Sequence, residues 1–220
     1  MTFVRAQAVF VAILLLATPA VARCTTALIL AIDVSNSIDE REYRIQADGL
    51  ADALEDPAIL DELVRGQVAL SVIQWSGMGQ QEVSLPWTRM AAPADVLAFA
   101  TEARRMPRAF IGSNTAVGDV VRFALGRFGP VADCQRRVID ISGDGTDNAG
   151  SDPPGARRAA ELAGVQINAL AIEGIGIAIT NFFRGHVITR DGFVMTATNH
   201  LDYAETLREK ILREVSAALF

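Results

Sequence analysis

The stretch Thr25-Thr26-Ala27-Leu28-Ile29-Leu30-Ala31-Ile32 runs directly into Asp33-Val34-Ser35-Asn36-Ser37, and that junction governs how the rest of the chain is read. The first part is a largely apolar run, as required of a strand covered on both faces, where neither side meets water. Sheets made of such strands carry helices on both faces. The second part sets one carboxylate and two hydroxyls on alternate residues, at the carboxyl end of the strand, where open α/β sheets bind ligands. Hard divalent cations such as magnesium take oxygen donors and keep several waters, so a few carboxylates with neutral hydroxyls suit them. Alone, D-x-S-x-S arises by chance in roughly one chain of this length in twenty or thirty. Its weight comes from its place after a buried strand.

Outward from this junction, helical and strand patterns alternate. Glu40 to Leu54 and Ala58 to Val64 read as helices separated at Pro57, and Val68 to Trp75 and Glu82 to Trp87 as two strands joined by a short loop. A loop that short makes an antiparallel hairpin. Helices follow at Ala94 to Arg105 and Ala116 to Phe128, the second stopped by Gly129-Pro130. Arg137 to Ser142 is a strand ending in the turn formers Gly143-Asp144-Gly145-Thr146-Asp147-Asn148. Then come a helix at Ala156 to Ala163, a strand at Gln166 to Ile172, a segment of open assignment through Phe183, a strand at Gly192 to Ala197 and a closing helix from Tyr203 to Ala218. The order predicts a three-layer, doubly wound α/β fold: a mostly parallel sheet with one antiparallel edge hairpin.

Half of the 220 residues are apolar, enough for one domain with a full core and too few for two. Residues 1–22 hold a single charged side chain, Arg5, an apolar run from Ala8 to Ala17, and Ala20-Val21-Ala22, which fits a signal-peptidase site. The expectation is a leader at 1–22, a single domain at 23–220, and a periplasmic or secreted protein. Retention of the leader as an anchor is the alternative, but the run is shorter than the roughly 20 residues a span needs. Arg23 argues against a lipid-modified Cys24. The formal charge of -6 disfavours nucleic acid as a partner.

Asp33-Val34-Ser35-Asn36-Ser37 resembles the first segment of the metal-ion-dependent adhesion site of von Willebrand factor A domains. Gly112-Ser113-Asn114-Thr115 ahead of a helix resembles the loop that supplies that site's threonine, and Ile139-Asp140-Ile141-Ser142-Gly143-Asp144-Gly145 the strand and aspartate that complete it. The exported leader together with Asp33-Val34-Ser35-Asn36-Ser37-Ile38-Asp39 is similar to the bacterial family DUF1194. The resemblance implies a divalent cation on Asp33, Ser35, Ser37, Thr115 and Asp144, magnesium first, with manganese or calcium as alternatives. It also implies a protein partner that presents an Asp or Glu carboxylate. A site with few direct negative charges leaves the cation electrophilic enough to take such a ligand. One departure stands out: Ser142-Gly143 precedes Asp144 where many members have an apolar residue and threonine.

Each residue has a plainer reading as well. Asp33 and Ser35 could cap the next helix, Thr115 its own, and Asp144 could form an Asx turn. Caps, however, give no reason for three segments to converge on one sheet edge. A β-helix calcium repeat at Gly143 to Asp147 lacks neighbours to stack on, and an EF-hand lacks its acidic positions. Cys24 lies nine residues before Asp33 and Cys134 ten before Asp144. If the aspartates meet at one end of adjacent parallel strands, the cysteines stand level at the other and form a disulfide. His186 and His200, the two histidines, sit in no nucleophile motif. A metal-assisted hydrolase therefore ranks behind both a cation-dependent binding module and a scaffold whose cation is structural or absent. Gly174-Ile175-Gly176-Ile177-Ala178-Ile179 reads as a buried loop or helix start, with an exposed apolar lip as the other option. Trp75 and Trp87 read as core or edge packing.

Overall fold

The computed structural model describes residues 23–216, so the leader expected at 1–22 and the last turn expected of the closing helix lie outside the described residues. Strand β1 (Thr26–Asp33) is buried at every position, as its apolar run requires. Helix α1 (Glu40–Glu55) begins at Asp39, whose carboxylate accepts from the Glu42 amide while the Glu42 carboxylate accepts from the Asp39 amide; this reciprocal pair satisfies two otherwise free donors. Asp56 caps α2 (Pro57–Arg65), where proline opens the helix without losing a needed donor. Strands β2 (Ala69–Trp75) and β3 (Gln81–Arg89) form the hairpin, followed by α3 (Pro93–Arg105), α4 (Val117–Leu125), β4 (Arg136–Gly143), α5 (Pro153–Leu162), β5 (Gln166–Ile172), α6 (Ala178–Phe182), β6 (Val194–Ala197) and α7 (Tyr203–Ser216).

The strands form one sheet in the order β3-β2-β1-β4-β5-β6. All neighbours are parallel except β2 and β3. Because successive side chains point to opposite faces, Leu28, Leu30 and Ile32 of β1 pack under α1, α2, α3 and α7. Ala27, Ile29 and Ala31 face α4, α5 and the π-helical turn Phe183–Val187 that continues α6. Each buried Leu or Ile contributes about 1.5–3 kcal/mol relative to an exposed one, so this two-sided burial holds β1 at the centre. Trp75 is fully buried, and Trp87 packs on Phe128 with ring centroids 5.7 Å apart.

Some boundaries differ from the sequence reading. Helix α4 stops at Leu125 rather than Phe128, and Gly129–Val131 form a short 3-10 turn instead. Helix α5 starts at Pro153, three residues early, because Asp152 caps it through the Gly155 amide. The stretch from Gly174 to Ala178 is exposed, which overturns the buried-loop reading, while the helix start is met at Ala178, the first residue of α6. Cys24 and Cys134 form a disulfide with Cα atoms 4.5 Å apart, level with one another because Thr26 pairs with Arg136. Among the described residues, no helix is long and apolar enough to cross a membrane.

Candidate functional site

Asp33 ends β1, and the pairing of Ile32 with Ser142 sets it level with Gly143. A Cβ at Gly143 would stand 2.9 Å from Asp33 Oδ2, so the departure seen in the sequence makes room for this carboxylate. Asp33 is fully buried. Its Oδ1 accepts from the Ser35 amide at 2.7 Å, while Oδ2 has no partner. Burial pushes its pKa up to about 7; the Ser35 hydrogen bonds oppose the rise and the charge of Asp144 adds to it. A buried, unpartnered carboxylate oxygen is costly unless something cationic neutralises it.

The other predicted residues gather above this floor. The Thr115 hydroxyl lies 3.3 Å from Ser35 Oγ, Ser35 Oγ lies 3.3 Å from Ser37 Oγ, and Ser37 Oγ donates to Asp144 Oδ1 at 2.5 Å. Ser35 and Thr115 are buried, Asp144 is half-buried and Ser37 is exposed, so the oxygens rise from a closed floor to an open mouth. The capping alternative loses most of its ground here. Asp39 caps α1, the Asp147 carboxylate accepts from Val117 at the start of α4, and no side chain at the α4 N-cap does so. The Thr115 hydroxyl instead turns to Ser35. Asp33 makes an Asx-type bond with only one of its two oxygens.

Second-rank residues hold this arrangement. Asn148 accepts from the Thr115 amide at 2.8 Å, and its own amide donates to the Thr115 carbonyl at 3.0 Å. The loop carrying Asp144 and Asn148 lies tightly on α4, where a Cβ at Gly118 would meet the Ser151 carbonyl at 1.8 Å. Arg108 donates to the Val34 and Ser35 carbonyls, both at 3.0 Å, and the Asn36 amide donates to the Ser113 carbonyl at 2.9 Å. His200 was not singled out by the sequence as a site residue. Its Nε2 lies 3.7 Å from Asp144 Oδ2 and 3.5 Å from Glu42 Oε1. The Asp144 carboxylate, reinforced by Glu42, holds this imidazole above its usual range despite burial.

The donor set fits a small hard cation. Magnesium holds ligands at about 2.0–2.1 Å in an octahedron, which places neighbouring oxygens about 3 Å apart. The spacings of 3.3, 3.3 and 2.5 Å bracket that value. Among the described residues no three His, Cys, Asp or Glu side chains form a metal cage, as expected where hydroxyls supply most donors.

The fold is that of von Willebrand factor A domains. Proximal thread matrix protein 1 from the mussel byssus is similar at 19% identity with a TM-score of 0.68, over 88% of this chain and 49% of that chain. The present chain thus spans about half the length of the mussel protein. The mussel protein is also similar in a structure with a zinc-occupied MIDAS motif, at 18% identity and a TM-score of 0.67, over 89% of this chain and 48% of that chain. An aerotolerance-related membrane protein from Bacteroides fragilis is similar at 19% identity and a TM-score of 0.56, over 88% of this chain and 99% of that chain. Among curated proteins none matches the sequence. The family described as "Protein of unknown function (DUF1194)" matches residues 23–219, and the chain belongs to that family, in a von Willebrand factor A-type fold.

Proposed function

We propose that this protein is an exported, divalent-cation-dependent binding module rather than an enzyme. In this reading Asp33, Ser35, Ser37, Thr115 and Asp144 hold magnesium, with manganese or calcium as substitutes, and a partner's Asp or Glu carboxylate completes the shell. The single observation that carries it is the unpartnered, buried Asp33 Oδ2 beneath the Ser35 and Ser37 hydroxyls of its own segment, the Thr115 hydroxyl of a second and the Asp144 carboxylate of a third. The zinc-occupied MIDAS motif of the mussel protein supports the same use of this sheet edge. A cation there supplies charge and an open ligand position; the chain's own residues fix which oxygens face it. A hydrolytic role ranks below binding because the Ser37 hydroxyl donates to the Asp144 carboxylate rather than to an imidazole. The leader at 1–22, the single domain at 23–220 and a periplasmic or secreted location belong to the same proposal.

The test is calorimetric titration of magnesium and manganese into the purified protein and a folded Asp33→Ala, Asp144→Ala double variant. One-to-one binding confined to the parent is expected. Absence of binding in both would leave a scaffold without a functional cation.

A further inference from the structure

The rim around the candidate site carries most of the large exposed apolar side chains among the described residues. Among the described residues eight large apolar side chains are exposed, and five of them lie at the carboxyl edge of the parallel strands: Met78, Ile111, Ile175 and Ile177 on loops and Leu201 in the 3-10 turn His200–Asp202. Their exposure runs from 58% at Ile177 to 100% at Ile175. Single exposed apolar residues are ordinary, but a group on one edge around a polar site is what interaction surfaces show.

The group is fixed to the site. Ile111 lies two residues before Ser113, whose carbonyl accepts from Asn36. Met78 sits beside Gly77, where a Cβ would meet Ser113 Oγ at 2.4 Å. Leu201 follows His200, the neighbour of Asp144. Ile175 and Ile177 leave the sheet from β5, whose Ala171 pairs with Gly143. The carboxylate that could have made this lip polar, Glu173, is turned inward and accepts from the Ile179 and Thr180 amides.

We infer that the rim is an apolar collar that reads the residues flanking the partner's carboxylate, so that the preferred ligand is a protein segment with an Asp or Glu between apolar side chains. This rests on the cation-binding reading above and adds its selectivity. Charge decides between a protein and a lipid surface. Loops 77–79, 110–114 and 174–178 contain no charged side chain; beside Leu201 one arginine, Arg41, is outnumbered by Asp39, Glu42 and Asp202, and Asp144 stands at the mouth. An anionic bilayer is held by clustered Lys and Arg, and these loops supply none.

The probes are blocked peptides with a central aspartate flanked by leucines, the same with serines, and the leucine peptide with asparagine at its centre, measured by fluorescence anisotropy at saturating magnesium. The leucine-flanked aspartate should bind about tenfold tighter than the serine-flanked one, the gain from burying about one extra apolar side chain. Ile175→Ser with Ile177→Ser, and separately Ile111→Ser, should erase that gain while leaving serine-peptide affinity and magnesium stoichiometry unchanged. Equal affinity for the two aspartate peptides would overturn the collar and leave the cation site standing. Binding of the asparagine peptide as tightly as its aspartate counterpart would overturn it too, as an apolar patch without carboxylate recognition. Magnesium binding with no peptide binding at all would end both readings. Phosphatidylglycerol vesicles that bind through Ile175 and Ile177, uncompeted by the leucine peptide, would assign the collar to a membrane instead.

Discussion

Replacing Asp33 by asparagine keeps the shape of the side chain and removes the charge that burial disfavours. With its pKa raised to about 7 by burial, Asp33 holds a proton in the folded state over a range where the unfolded chain has lost it. The stability it contributes is full below its ordinary value of 3.8 and is lost as pH rises through about 7. Asp33→Asn should therefore match the cation-free parent below the ordinary value of 3.8, draw ahead as pH rises from there, and exceed it by about 1–3 kcal/mol at pH 8, measured by urea unfolding. Saturating magnesium should stabilise the parent at pH 8 and leave the variant unmoved. Stability given up at a ligand-ready residue is the usual signature of function. The convergence of Asp33, Ser35, Ser37, Thr115 and Asp144 was legible because each lies at or just past a strand end or ahead of a helix in a recognisable run. Arg108, Asn148 and His200 were not, because their roles depend on neighbours 33 to 74 positions away on other elements, which local spacing does not carry.

Helix α7 docks on the sheet through the chain's lone lysine. Lys210, fully buried, contacts the Asp140 carboxylate of β4 and donates to Glu214 Oε1 at 2.7 Å, and Glu214 in turn accepts from Asn168 of β5 at 2.9 Å. Burial, together with the charge of Glu214, raises the Asp140 pKa. Lys210→Met should destabilise the protein by about 3–5 kcal/mol at neutral pH, because two carboxylates are left buried without a cation. The loss should shrink toward pH 5, where the Asp140 carboxyl, raised by burial, takes up a proton, and denaturant unfolding at the two pH values checks both signs. Composition showed only that lysine was scarce; nothing in the local pattern placed Lys210 in the core, since its partner on β4 lies in a run otherwise read as an apolar strand. Strand and helix identities were legible wherever periodicity was long and a proline punctuated it, as at Pro57, whereas the Asp39 cap of α1 emerged only in the structure. The lip after β5 was misread because an apolar run states what a segment prefers, and the close of β5 at Ile172 left this one without a facing element.

Across the molecule, the two chemical clusters stand at opposite ends of the same pair of strands. Asp33 and Asp144 are at or just past the carboxyl ends of β1 and β4, while the disulfide joins Cys24 and Cys134 just ahead of their amino ends. The closed loop spans 110 residues of sequence, so Cys24→Ser with Cys134→Ser should lower unfolding free energy by roughly 2–4 kcal/mol. Because the site is at the far end, its magnesium stoichiometry should survive wherever the variant remains folded, which calorimetry at low temperature checks.

The same arrangement has a mechanical side. A pull on anything held between Asp33 and Asp144 runs lengthwise down β1 and β4, which lie side by side with seven paired positions from Thr26–Arg136 to Ile32–Ser142. Drawn from the same end, the two parallel strands move together, so the rungs between them are not slid past one another and the load passes down to their amino ends. At the foot of the pair the load meets a covalent link rather than another rung, so the strands are braced as a clamp whose jaws are at one end and whose rivet is at the other.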